Sequence, residues 1–183
     1  MAKIIFVTGG CRSGKSNFAR KLGEALPGPR TFLATCPILD GEMSRRIDKH
    51  RSERMNGEWV TIEETLEIEN VLSNPNPNPI LTRIFLLDCI SLWVNNLLYE
   101  ASQKGYGLEE ADIENNCKDV ISATIPFDYT LIIVSNEVGL GIVPDNAMAR
   151  KYRDLLGRAN QVFAEAANQV VFMVSGIPLY IKG

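Results

Sequence analysis

Gly9, Gly14, Lys15 and Ser16 stand in the spacing G-x-x-x-x-G-K-[ST], the pattern of a loop that wraps phosphate groups. The residue types dictate the chemistry. Glycines let the backbone curl so that successive N–H groups point inward. A helix beginning at Lys15 adds its positive N-terminal end. The Lys15 ammonium can reach β- and γ-phosphates, and the Ser16 hydroxyl can ligate Mg²⁺. Gly10, Cys11, Arg12 and Ser13 fill the loop between the motif glycines. A second candidate is Asp88, which follows Ile84-Phe85-Leu86-Leu87. An apolar strand ending in an acid is the pattern that holds Mg²⁺ in a phosphate-loop enzyme, directly or through water. The same residue at a strand end can instead cap a helix starting at Ile90.

His50 is the only histidine of the chain. At helical spacing it shares a face with Arg46 and Arg54, four residues to either side. Guanidiniums in a row make an anion site and disfavour the imidazolium, leaving a neutral, nucleophilic imidazole near neutral pH. Such an imidazole can attack an α-phosphate and carry a nucleotidyl group; a solvated histidine on a helix surface has the same local pattern. Glu137 fits either a general base or a carboxylate anchoring its own loop.

These residues need elements to hold them. Lys3 to Thr8 reads as a buried strand, and Lys15 to about Leu26 as a helix with Phe18, Ala19, Leu22 and Ala25 at helical spacing. Further strands are expected at Arg30–Thr35, Trp59–Ile62, Arg83–Asp88, Tyr129–Ser135, Gln169–Val174 and Ile177–Lys182. Helices are expected at Glu42–Met55, Thr65–Asn74, Ile90–Ala101, Leu108–Ala123 and from Asp145 or Asn146 to Ala167. The helix at Leu108–Ala123 has few apolar anchors and reads as a surface helix. Asn74-Pro75-Asn76-Pro77-Asn78-Pro79 reads as an exposed loop, because its prolines lack an N–H. Strands that are continuous apolar runs alternate with helices, which predicts a three-layer α/β fold with a mainly parallel sheet and helices on both faces. Ligands then belong beyond the C-terminal ends of the strands, where Thr35, Asp88, Ser135, Asn136 and Glu137 fall.

The 183 residues suit one domain with a substantial core, and a 45% hydrophobic, 22% charged composition is that of a globular protein. A net charge of −3 gives no general nucleic-acid or membrane surface. No leader or long apolar run is visible, so a cytoplasmic location without a membrane span is expected. The four cysteines show no C-x-x-C spacing, and with one histidine a zinc site is not expected. They read as free thiols, with Cys11 in the phosphate loop open to alkylation.

Over nearly its full length the chain resembles the bifunctional cobinamide kinase/cobinamide-phosphate guanylyltransferase family of cobalamin biosynthesis. The resemblance rests on the segments Val7–Ser16, Ala34–Met43, Arg46-Ile47 with His50-Arg51, Ser135–Pro144, Arg150 through Gln161, and Val174–Ile177. Asn136-Glu137-Val138-Gly139-Leu140-Gly141-Ile142-Val143-Pro144 and Ile38-Leu39-Asp40-Gly41-Glu42-Met43 are its specific parts; the phosphate loop is generic. It implies a single P-loop nucleotide-binding domain over residues 1–183 with the three-layer, RecA-like P-loop NTPase fold. It also implies phosphorylation of adenosylcobinamide by ATP or GTP, then transfer of GMP from GTP through a guanylyl-histidine at His50. Nucleotide contacts are implied for Gly9, Gly10, Cys11, Arg12, Ser13, Gly14, Lys15 and Ser16, for Ala34, Thr35 and Cys36, for Arg51, Ser52, Glu53 and Arg54, and for Glu63 and Asp88. Mg²⁺ at Ser16 and Asp88, a corrinoid substrate and a homotrimer complete the expectation. The chain departs from the family in having Asp88 where glutamate is common, and Cys11 and Cys36 where small residues are usual. A phosphate-loop kinase of another small alcohol, with His50 incidental, and a regulatory nucleotide hydrolase are the alternatives; corrinoid-dependent turnover and a covalent nucleotide discriminate among the three.

Overall fold

The computed structural model describes residues 1–36, 59–74 and 81–183. The expected helix at Glu42–Met55, with Arg46, His50, Arg51, Ser52, Glu53 and Arg54, lies outside the described residues, as does most of the proline-asparagine loop.

Among the described residues seven strands form one sheet: β1 (Lys3–Gly9), β2 (Arg30–Ala34), β3 (Trp59–Glu63), β4 (Ile84–Asp88), β5 (Thr130–Val134), β6 (Gln169–Val174) and β7 (Ile177–Lys182). Their order is β3-β2-β4-β5-β1-β6-β7. Every pairing is parallel except β6 with β7, an antiparallel hairpin. Its two-residue turn, Ser175-Gly176, has positive φ at both positions (51° and 85°), the geometry that matches strand twist.

Alternation along the strands builds a core on each face. Ile4, Phe6, Leu33, Phe85, Leu87, Leu131 and Ile133 point to one face. There they meet α2 (Ile68–Leu72), α3 (Ile90–Gln103), α4 (Glu110–Thr124) and α5 (Ala147–Ala166) through residues such as Trp93, Ile113, Leu156 and Phe163. Ile5, Val7, Ile84, Leu86, Ile132, Val134, Val171 and Met173 point to the other, where α1 (Lys15–Ala25) packs through Phe18, Ala19 and Leu22. Arg30 closes the end of α1, donating to the carbonyls of Gly23, Glu24 and Leu26 at 3.0–3.1 Å, a cation on a helix C-terminus.

One helix reading needs correction. The segment expected to be helical from Thr65 to Asn74 is helical only over Ile68–Leu72. The Glu64 carboxylate accepts the N–H groups of Leu66 and Glu67, at 2.9 and 3.1 Å, and holds the preceding residues in a turn. The polar helix α4 lies at the surface, as expected. Ile113, Cys117, Val120 and Thr124 are buried, so one narrow stripe suffices because α4 rests on other helices. The reading of Asn146 as a helix cap holds: its side chain accepts the Ala149 N–H at 3.0 Å.

Arg158 of α5 and Lys118 both bind the Glu114 carboxylate on α4, holding its pKa down to about 2 from 4.5. A depressed carboxyl stabilises the fold above its unfolded pKa and loses that contribution as pH falls from about 4.5 toward 2. Glu114→Gln is therefore expected to lower the melting temperature at neutral pH. The gap from the native chain should close in acid and narrow in high salt, checked by thermal melts across that range.

Candidate functional site

The phosphate loop is built by its strand, its helix and the β6–β7 turn together. A Cβ on Gly9 would lie 2.6 Å from the Met173 carbonyl and 2.8 Å from Ser13 Oγ, so the loop's entry tolerates only glycine. Gly14, the N-cap of α1, is left-handed at φ 90°. Within the loop Ser13 N–H donates to the Gly10 carbonyl at 3.2 Å, and the Gly176 N–H donates to the Ser13 carbonyl at 2.9 Å. The hairpin turn therefore buttresses the loop from the far side of β6, a role that nothing local to Ser175-Gly176 announces beyond the turn itself.

Lys15 is 8% exposed and donates from Nζ to the Gly10 carbonyl at 3.1 Å. Ser16 is half-buried beside it. Thr8 Oγ1 and Ser13 Oγ are buried without a hydrogen-bond partner among the described residues. An orphaned serine hydroxyl inside the glycine-bounded loop is a group that a phosphate oxygen would satisfy. Cys11 and Arg12 are exposed at the loop's tip.

The strand register lines up the other candidates. Ala34 is the register partner of Glu63 on one side and of Asp88 on the other. These three therefore share one row at the C-terminal edge of β3, β2 and β4. β5 separates β4 from β1, so Asp88 sits two strand spacings, about 10 Å along the sheet, from the strand that feeds the phosphate loop. The two sites still share a field. Burial pushes the Cys89 thiol up to about 11; the Asp88 charge adds to that rise and the Lys15 charge opposes it. Hard oxygen donors, a serine hydroxyl and a carboxylate, fit Mg²⁺ rather than a soft metal.

Thr35 is fully buried and works inside the protein. Its hydroxyl donates to the Cys89 carbonyl at 2.8 Å and accepts the Cys89 N–H at 2.9 Å. Asn96 Nδ2 donates to the carbonyls of Thr35 and Thr65, at 2.8 and 3.0 Å. The N-cap position of α3 is Cys89, one residue after Asp88. The Glu137 carboxylate accepts the Gly139 N–H at 2.6 Å, as a loop anchor would, while its own N–H donates to the Gly9 carbonyl at 3.0 Å.

A polar network beneath this edge escaped the sequence. Asn160 on α5 accepts from Ser135 Oγ at 2.6 Å and donates to the Asn136 carbonyl at 3.0 Å. Asn136 Nδ2 donates to Ser91 Oγ at 2.8 Å, and the Tyr152 hydroxyl donates to the Ser91 carbonyl at 3.1 Å. Burial, and the nearby Cys89, push the Tyr152 hydroxyl up to about 12. The network fixes the ends of β4 and β5 against α3 and α5, satisfying polar groups that burial would otherwise penalise. All four cysteines are free thiols, with Cys89 and Cys117 buried and Cys11 exposed. Among the described residues no helix is long and apolar enough to cross a membrane.

Known proteins place this arrangement. A KaiC-like protein from Pyrococcus horikoshii superimposes with a TM-score of 0.53 at 15% identity, covering 93% of this chain and 71% of the other. That likeness, with the mostly parallel sheet and the phosphate loop, identifies the fold as the three-layer P-loop NTPase architecture. The bifunctional adenosylcobalamin biosynthesis protein CobU of Escherichia coli K12 is 39% identical, covering 98% of this chain and 99% of its own length. The corresponding protein CobP of Pseudomonas aeruginosa is 38% identical, covering 97% and 96%. The family model described as cobinamide kinase / cobinamide phosphate guanyltransferase matches residues 5–181, and the chain belongs to that family.

Proposed function

We propose that the chain carries out both reactions of its family within one P-loop nucleotide-binding domain. It phosphorylates the alcohol arm of adenosylcobinamide with ATP or GTP, then transfers GMP from GTP to the phosphate so formed, giving adenosylcobinamide-GDP. The observation that carries the reading is the phosphate loop with Lys15 buried beside it, facing an edge where Asp88 and Glu63 share one row.

In the first reaction the acceptor hydroxyl oxygen bonds to the γ-phosphorus as the bond to the leaving diphosphate breaks. Backbone N–H groups of the loop and the Lys15 ammonium offset the charge that develops there. Ser16 and Asp88 would hold Mg²⁺, which when bound neutralises phosphate charge. In the second, neutral His50 attacks the α-phosphorus of GTP and pyrophosphate leaves. The phosphate of adenosylcobinamide phosphate then displaces histidine from the guanylyl group and regenerates the free imidazole. By their four-residue spacing from His50, Arg46 and Arg54 are the first choices to hold phosphates, with Arg51, Ser52, Glu53, Ala34, Thr35, Cys36 and Glu63 contacting the nucleotide. Assembly as a homotrimer and a cytoplasmic location complete the proposal; the edge strand β7 leaves Ile177, Leu179 and Ile181 exposed and available for self-association.

GTP labelled at the α-phosphate tests this reading. The native chain is expected to take up an acid-labile, base-stable label that His50→Ala loses. Folded native chain that takes up none would overturn the transferase half and leave a phosphate-loop kinase.

A further inference from the structure

The loop joining β5 to α5 exposes more apolar side chain than phosphate chemistry requires. Leu140 is 81% exposed, Ile142 97% and Val143 60%, and Met148 on the first turn of α5 is also exposed. Scattered exposed hydrophobes are ordinary, but a cluster on one loop marks a binding surface.

The loop is not left to flutter. Its Gly139 N–H binds the Glu137 carboxylate at 2.6 Å, and a Cβ at position 139 would lie 2.8 Å from that carboxylate oxygen. Arg153 donates to the Gly139 carbonyl at 2.7 Å. Arg150 donates to the carbonyls of Pro144 and Asp145 at 2.9 and 2.6 Å. These ties all end on backbone atoms, so they set the path of the loop and leave its apolar side chains unused. The loop is also continuous with the reaction site: Glu137, two residues before Gly139, donates its N–H to the Gly9 carbonyl of the phosphate loop.

We infer that Leu140, Ile142 and Val143 form the platform on which the macrocycle of the corrinoid acceptor rests. The inference rests on the proposed acceptor. A corrinoid is a broad ring studded with methyl groups, and the reacting hydroxyl sits at the end of a flexible arm. Only the arm can enter the phosphate site, so the ring must be held at its rim. An apolar loop fixed in advance does this with little loss of chain entropy on binding, and the Glu137–Gly9 bond ties the start of that loop to the phosphate loop. Arginines that hold the loop from α5, rather than contact the ligand, explain why the apolar residues face outward on a stiff support.

The test is the full-length Leu140→Ser/Ile142→Ser variant, since both positions are exposed and their replacement should leave folding intact. The KM for adenosylcobinamide is expected to rise by about tenfold or more. The KM for nucleotide, the covalent labelling by GTP and the sedimentation mass should match the native chain, and Leu140→Met/Ile142→Leu should restore the corrinoid KM. An unchanged corrinoid KM would overturn the inference. So would a changed mass, which would make the loop a contact between copies. Native chain that fails to phosphorylate adenosylcobinamide at all would overturn the functional reading instead, and the platform with it.

Discussion

Lys15→Ala is expected to slow phosphorylation of the corrinoid alcohol by about a hundred- to a thousandfold, the usual loss when one preorganised charge is removed from a transition state. Among the described residues of the loop, Lys15 is the one buried cation. It is buried on the first turn of α1, its ammonium is 3.1 Å from the Gly10 carbonyl, and that first turn holds no acidic residue to neutralise it. Arg12, the other cation of the loop, is exposed at its tip. Alanine is the best helix former, so α1 should persist and the melting temperature should stay within a few degrees of native. Steady-state rates with saturating corrinoid check the prediction: kcat falls steeply and the nucleotide KM rises. A variant that keeps its rate within about tenfold would show that the phosphates bind elsewhere.

Phe163→Ala should produce the largest loss of stability, about 3–5 kcal/mol, or a melting temperature lower by on the order of 10 °C. Phe163 is fully buried on α5. Its ring stacks on Phe6 of β1 and meets the edge of Trp93 on α3, both at 6.4 Å between centroids. Truncation therefore opens a cavity where the sheet, α3 and α5 meet. The site should suffer too, because Asn160 lies one turn earlier on the same helix and holds Ser135 and Asn136. Chemical denaturation measures the first effect and kcat the second. Phe163→Leu should recover most of both, since it refills much of the volume.

The strand–loop–helix at the start of the chain was legible residue by residue, because all its parts are local: apolar strand, glycines at fixed spacing, helix pattern. The same holds for Asp88 at the end of an apolar strand and for Asn146 as a cap. The helix expected from Thr65 begins only at Ile68, and the residues before it are held in a turn on the Glu64 carboxylate. The surface reading of α4 held, with one narrow buried stripe set by what the helix rests against. The Thr35 hydroxyl pairs with the Cys89 backbone, a partner that sequence spacing does not show.

By itself, then, the sequence determined the class of fold, the phosphate-binding loop and the acids at the strand ends, since each follows from residue type and short-range period. Only the tertiary structure decided the strand order that sets β5 between β1 and β4, and with it how Lys15 and Asp88 come to act on one thiol. It alone supplied the buttress from Gly176, the Asn160 network and the arginine ties on the apolar loop. Most of these join residues far apart along the chain, and the arginine ties also depend on where α5 lies. They form when helices pack and strands register, which no local pattern encodes.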